Sequence, residues 1–298
     1  MKTTPYHAGK HLRADELEPP TGRCPSCGSR AERRAVHRIQ DDPVVDLLTC
    51  PECGISSASR MPTSGALEEY YGAYYGADDG DQVTFSGVER FARHIARFCP
   101  DGANKILDFG GGDGAVALAL ARILAGRGAT PEVTLVDYAE PQPDAAFPIE
   151  RITELEDVRG EFDVIVASAI LEHVPDVGDA IRRLWRLGRP GAVFYARTPY
   201  WAPMLRLAPS IDLTFPGHVH DMGPAFWNRF IGTLELEGDL LASRPSIVET
   251  SLSQAPARTA AAYLLKAPSH LECLVRRGDW RRPLWGFVGG WEVFARVG

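Results

Sequence analysis

Three groups in this 298-residue sequence have residue types and spacings that could do chemistry: four cysteines in two pairs, a glycine turn behind an aspartate, and histidines in two expected loops. Cys24, Cys27, Cys50 and Cys53 stand in the spacing C-x2-C-x22-C-x2-C. Each C-x-x-C-G turn lets two thiolates converge on one ion, and four thiolates close the tetrahedral sphere of Zn²⁺. No ligand position remains for water, so the expected ion is structural. It supplies the folding energy of a ribbon too small to fold without it. Cys99 and Cys273 stand alone and are expected to be buried thiols.

The glycine turn lies in KILDFGGGDGAVALAL, Lys105 to Leu120. Ile106, Leu107 and Phe109 read as a buried strand running into the turn, and the small residues behind it as a helix. Gly110, Gly112 and Gly114 permit positive φ and leave no side chain between backbone and ligand. The helix N-terminus behind them offers free N–H groups and a partial positive charge. Two ligands compete for such a turn. Gly110-x-Gly112-x-x-Ala115, with Asp137 at the ribose-binding distance, satisfies a loose dinucleotide fingerprint. Asp108, two residues before Gly110, argues the other way: its carboxylate would repel a pyrophosphate and would suit the ammonium and sulfonium of S-adenosylmethionine.

The elements that position these residues follow from periodicity. Strands are expected at 105–109, 132–137, 162–168 and 192–198, with helices at 114–124 and 177–187. Strand–helix alternation implies an α/β fold with a parallel sheet and right-handed crossovers. Ligands then sit outside the carboxyl ends of the strands, which singles out Asp108 to Gly112, Asp137-Tyr138 and Ser168 to His173. The tail reads as less regular: a loop over 199–224, a helix near 225–234 and a last strand, GGWEVFARV. Residues 1 to about 20 read as a loosely held arm. Ser64 reads as a helix cap. Tyr70, Tyr71, Tyr74 and Tyr75 then form either a packing seam or a lid over a ligand, with Tyr75 the nearest to reach a site.

A base near neutral pH is best supplied by histidine. Of eight histidines, His173 follows the strand 162–168, while His218 and His220 flank Val219, where an extended backbone would put both on one face. Asp221 could orient one ring. The alternatives are a packing histidine for His173, and a second metal site or surface loop for the other two. Tyr195, Tyr200, Trp201, Phe215 and Trp227 could wall an acceptor pocket or simply pack the tail. Arg276, Arg277, Arg281 and Arg282 could grip a phosphate or carboxylate, or form an exposed turn.

ILDFGGGDG, LVDYA and FDVIVASAILEHVPD, in that order and spacing, resemble the signature segments of class I S-adenosylmethionine-dependent methyltransferases. The N-terminal half resembles a subgroup in which a zinc ribbon and a YY…YY segment precede that core, including sugar and natural-product methyltransferases. The resemblance implies a Rossmann-like, mostly parallel sheet with an antiparallel last strand. It also implies a small N-terminal zinc ribbon. Gly110 and Gly112 would touch the methionine and ribose part, Asp137 both ribose hydroxyls, Tyr138 the adenine, and Ser168 the methionine side. RITELEDV departs from the family in lacking the Asp-Leu or Asp-Ala pair that usually meets the adenine amine, and Glu154 is the candidate there. The expected organisation is arm and ribbon at 1–62, linking helices with a Tyr-rich lid at 63–100, and a methyltransferase domain at 101–298 with substrate-cap insertions over 199–285.

Composition narrows the partners. A net charge of −7, with nine Lys and Arg against eight Asp and Glu over residues 1–60, gives no support for nucleic acid. No apolar run is long enough to span a bilayer, and MKTTPYHAGK lacks the core of a secretory signal. The expectation is a cytoplasmic enzyme acting on a small-molecule acceptor, by O- or C-methylation. A ribbon that docks RNA or protein, and a non-catalytic binding protein of the same fold, are the alternatives.

Overall fold

A computed structural model describes residues 9–75, 87–141, 144, 146–207, 213–247, 256–276 and 283–298, leaving aside the side chains of 73–75 and 258. The N-terminal part is a ribbon of three antiparallel strands, β1 (Arg34–Asp41), β2 (Val44–Thr49) and β3 (Ser56–Ala58). Helices α1 (Ser64–Tyr75) and α2 (Val88–Ile95) lead into β4 (Lys105–Phe109), α3 (Ala115–Ala125), β5 (Glu132–Val136), β6 (Ile149–Ile152), β7 (Phe162–Ser168), α4 (Val177–Leu187) and β8 (Gly188–Tyr200). The tail adds α5 (Ala202–Leu205), β9 (His220–Asp221), α6 (Pro224–Trp227), α7 (Phe230–Thr233), β10 (Gly238–Pro245), α8 (Pro256–Val275) and β11 (Gly289–Val297).

Seven strands form the main sheet in the order β10-β11-β8-β7-β4-β5-β6. Neighbours from β6 through β8 run parallel; β11 is antiparallel to β8, and β10 to β11. The central parallel strands β4, β5 and β7 are largely buried on both faces, as a sheet covered by helices on both sides requires, while β6 at the edge is exposed at Glu150 and Arg151. Ile106, Val164 and Val166 pack with Phe91 and Ile95 of α2 and Leu120 of α3. Leu107, Ile165 and Ala167 pack on the other side with Ile181 and Leu184 of α4. The chain order reverses at β4, which has β5 on one side and β7 on the other, and a crevice opens at such a switch point.

The ribbon is welded to this body. Cys24, Cys50, Cys53 and Ile55 share a core with Phe226, Trp227 and Phe230. At Gly54 a Cβ would lie 2.7 Å from the Ala225 backbone, so only glycine lets the knuckle seat against α6. β9, from the tail, adds a fourth strand to the ribbon by pairing with β3.

Several expectations are corrected. Residues 9–20 are not a loose arm: Leu12 and Leu17 are buried, and the Leu12 backbone exchanges two hydrogen bonds with the Gln40 amide. Each buried leucine contributes on the order of 1.5–3 kcal/mol, enough to hold the segment down. The cap of α1 is Thr63, whose Oγ1 accepts from the Ala66 N–H, rather than Ser64. The tail is more regular than expected, with β10 completing the sheet and α8 running 20 residues. Tyr195 and Trp227 are fully buried, and Phe215 packs against the N-terminal segment, so of the five aromatics proposed as a pocket wall only Trp201 lines the cavity described below. Arg276 pairs with Glu272 on α8, and Arg277, Arg281 and Arg282 lie outside the described residues. Cys99 and Cys273 are buried.

Candidate active site

The turn after β4 is built as its glycines require. Gly110 and Gly112 have φ of 71° and 59°, where a side chain is strained. A Cβ at Gly110 would collide with Ile170, whereas one at Gly112 would meet nothing within 4 Å. The Gly112 backbone is thus open to a ligand. Asp137, at the end of β5, accepts from the Gly112 N–H and from the Ala139 N–H, both at 2.8 Å, and so ties the ends of two neighbouring strands together. Tyr138 is 61% exposed and donates to Glu154 at 2.6 Å; that bond, with burial, pushes its phenol up to about 12.

Asp108 is buried behind the turn. Burial, then the charges of Asp137 and Asp113, raise its carboxyl to about 7. Its Oδ2, like Ser168 Oγ at the end of β7, has no hydrogen-bond partner among the described residues. An orphaned buried carboxylate oxygen beside an open glycine backbone fits a small cationic ligand, and fits a pyrophosphate poorly.

Both groups border a cavity of about 1340 Å³ at the carboxyl ends of the strands. Its other wall carries Tyr71, Glu172, His173, Arg197, His218 and Lys266. His173 ends a short 3₁₀ turn after β7, entered through Ala169 at φ 56°. Its Nδ1 lies 2.8 Å from the Gly217 carbonyl and 3.1 Å from the Tyr71 hydroxyl. A carbonyl only accepts, so Nδ1 carries the proton and the lone pair is on Nε2. Burial lowers the ring to about 4, keeping it neutral at pH 7. Burial also raises Glu172 to about 8. The His218 ring centroid is 4.7 Å from that of His173, and its Nδ1 lies 2.9 Å from Thr214 Oγ1. Ligand atoms of Glu172, His173 and His218 lie within 4.8 Å of one another, close enough to share a proton or gather a cation.

His220 does not join them. Only residues 220–221 are strand, and His218 sits in a turn closed by its N–H to the Thr214 carbonyl, so the two rings do not share a face. His220 is buried, bonded to Ser57 Oγ and the Val174 carbonyl at 2.9 Å each, and fastens the ribbon to the strand ends. Asp221, expected to orient a histidine, instead accepts from the Trp201 and Ala202 N–H groups. The Tyr75 side chain lies outside the described ones. Reading the stripe from its end picked Tyr75 over Tyr71. Glu172 falls within the stretch singled out from the sequence but carries no assigned role there; Arg197, inside β8, and Lys266, on α8, give no local signal.

In the ribbon, the four cysteine sulfurs lie within 4.8 Å of one another, with Cys24–Cys53 at 3.6 Å and Cys27–Cys50 at 3.8 Å. Thiolates about 2.3 Å from one tetrahedral ion are about 3.8 Å apart, so this donor set fits Zn²⁺.

A doubly wound sheet with an antiparallel last strand, a glycine turn backed by a buried carboxylate and a second acid at the next strand end defines a nucleoside-binding fold for a cationic cofactor. Residues 84–229 match the family described as a methyltransferase domain. That stretch, just under half of the chain, is a methyltransferase domain, and the curated relatives it resembles are methyltransferases. It is 26% identical over 172 residues to a ubiquinone biosynthesis O-methyltransferase of Methylobacterium nodulans, covering 54% of this chain and 67% of the relative. It is 32% identical over 156 residues to the one from Methylocella silvestris, covering 47% and 57%. The match thus takes in about two thirds or less of the relatives' length. Among solved structures, it is similar to an S-adenosylmethionine-dependent methyltransferase from Mesorhizobium loti, at 20% identity and TM-score 0.45 over 70% of this chain and 100% of that one. It is also similar to the plantazolicin methyltransferase BpumL in complex with a pentazolic desmethylPZN analog and SAH, at 11% identity and TM-score 0.47 over 77% and 91%. Among the described residues no helix is long and apolar enough to cross a membrane.

Asp137→Ala tests the cofactor end of the site. Losing the anchor of the Gly112 N–H, together with the ribose acceptor that the resemblance implies, is expected to weaken S-adenosylhomocysteine binding about 10- to 100-fold by calorimetry, at roughly 1.5–3 kcal/mol for hydrogen bonds to a charged group. An affinity within twofold of the parent would remove Asp137 from the cofactor site.

Proposed function

We propose that this protein transfers a methyl group from S-adenosylmethionine to a small-molecule acceptor, such as a sugar, a glycan precursor or a natural-product intermediate. The observation that carries the reading is a single cavity bordered by the Asp108–Gly112 and Asp137 turn at one end and by Tyr71, His173 and His218 at the other. Asp108, Gly110, Gly112, Asp137, Tyr138 and Ser168 would hold the cofactor, with Glu154 beside Tyr138. When bound, the cofactor supplies an electrophilic methyl on sulfur. His173 is the candidate base: its Nδ1–H is held by the Gly217 carbonyl and its neutral Nε2 can take a proton from the acceptor. Tyr71 lines the same cavity and holds that ring through its hydroxyl. The named relatives are O-methyltransferases, which favours oxygen over carbon as the atom methylated.

The cysteine cluster would hold one structural Zn²⁺, seated under α6 rather than beside the cavity. Burial of Cys24, Cys50 and Cys53 in the shared core supports a folding role over one in docking RNA or protein. The test is calorimetry with S-adenosylmethionine and with NADH, followed by quantitation of S-adenosylhomocysteine formed with a small-molecule extract. Binding of NADH without S-adenosylmethionine would overturn the reading. Binding of the cofactor with no product formed from any extract would favour a non-catalytic binding protein.

A further inference from the structure

We propose that α8 pairs with the α8 of a second copy of this chain, antiparallel across a two-fold axis near Ala267, through a strip of apolar side chains that the fold leaves facing out. An ordinary surface helix turns its apolar stripe to the core; α8 does the reverse. Thr259, Lys266, Ser269 and Cys273 are buried on its inward face, where Ala262, Leu265 and Lys266 also border the cavity. On the opposite face Leu264, Leu271, Leu274 and Val275 are 64% to 84% exposed, and Ala260 and Ala267 in the same stripe are exposed too. Bonds to the body fix this orientation. Lys266 Nζ donates to Ser246 Oγ, Trp285 Nε1 to the Leu265 carbonyl at 2.8 Å, and Arg90 of α2 to the Tyr263 hydroxyl at 2.9 Å. The helix cannot roll its leucines inward without breaking them.

Ala260, Leu264, Ala267, Leu271 and Leu274 are spaced 4, 3, 4 and 3, the heptad spacing of a helix–helix seam. The seam is also self-complementary. About an axis at Ala267, Leu264 would meet the partner's Leu271 and Ala260 the partner's Leu274, with small residues at the axis, where the backbones must approach. A surface that maps onto itself in this way is what an isologous dimer requires. Leu284, 91% exposed and held beside α8 by its N–H to the Glu272 carboxylate, widens the patch. At 1.5–3 kcal/mol and about 25 cal/mol per Å², a large apolar side chain carries roughly 60–120 Å², so the five exposed ones offer roughly 300–600 Å² per copy. Two copies would bury on the order of 1,000 Å², the lower limit for a specific interface, so the dimer is expected to be weak, with Kd in the micromolar range. A lipid surface fits the face less well. Membrane-binding helices flank their apolar stripe with Lys and Arg, whereas Lys266 is turned inward and Arg276 pairs with Glu272 at 2.7 Å, in a chain of net charge −7.

The test is sedimentation equilibrium of the full-length protein across the micromolar range, where a monomer–dimer equilibrium is expected. Leu264→Lys and Leu271→Glu are each expected to weaken association about tenfold or more, because each buries an unpaired charge in the seam. An equimolar mixture of the two variants is expected to restore the dimer, since the antiparallel pairing sets the two introduced charges opposite each other. That restoration also shows that both variants fold. A parent that stays monomeric, a dimer that survives both substitutions, or a mixture as dissociated as its components would overturn the proposal. A monomeric parent that floats with phosphatidylcholine–phosphatidylglycerol vesicles, and loses them on Leu271→Glu, would assign the face to lipid instead. No cofactor enters the experiment, so its outcome is independent of the methyltransferase reading.

Discussion

Cys53→Ser is expected to remove zinc from the protein and to lower its melting temperature by on the order of 10 °C or leave it insoluble. Structural zinc is worth on the order of 10 kcal/mol to a small ribbon, because the unfolded chain has no preformed site. In an isolated ribbon the damage would stop there. Here Cys53 is fully buried and shares its core with Phe226, Trp227 and Phe230, so the loss reaches the methyltransferase sheet. β9, which fastens the ribbon to the strand ends, also carries His220, bonded to Ser57 on one side and to the Val174 carbonyl on the other. The measurement is elemental analysis with thermal melts: about one zinc per chain in the parent, and a melt lowered by chelator to near that of the variant. A parent protein that holds no zinc, with a melt indifferent to chelator, would remove the assignment.

His173→Ala is expected to lower kcat about 10²- to 10⁴-fold, the range for losing a positioned general base, while S-adenosylhomocysteine affinity stays within about threefold. The pH profile supplies a second readout. A free histidine would lose its base function as pH falls through about 6.5. Burial lowers His173 to about 4, so it stays neutral and competent to about that pH, and kcat is expected to hold flat from pH 7 to 5 and fall only below. An acid limb near pH 6.5 in the parent would place the base on a more exposed group. If kcat survives His173→Ala and collapses in His218→Ala, the role passes to the neighbouring ring, whose centroid is only 4.7 Å away.

What was legible in the sequence was local. The turn from Asp108 to Gly112 could be read because positive φ demands glycine, and the strands around it because residues buried on both faces form unbroken apolar runs. The four cysteines converge as their spacing requires, since each knuckle is closed by its own short turn. The residues that resisted reading are those placed by contacts across the chain. Tyr71 and His173 are 102 positions apart, and only the docking of α1 on the strand ends brings the hydroxyl to the ring. Lys266 stands on a helix whose mixed face carries little periodic signal, and it reaches the cavity because Ser246 and Gly290 lie beside it.

The sequence by itself therefore determined the glycine turn after β4, the acids at successive strand ends and the thiolate cluster, because each depends on backbone conformation and spacing within a few residues. Only the tertiary structure decided which histidines face the cavity. His218 and His220 are two residues apart, yet one lines the pocket and the other bolts the ribbon to the sheet. The hydrogen bond from His218 N to the Thr214 carbonyl and the pairing of β9 with β3 break the two-residue alternation that an extended strand would have imposed. Long-range packing outweighs local periodicity there, and the acceptor end of the site is assembled almost entirely by such packing.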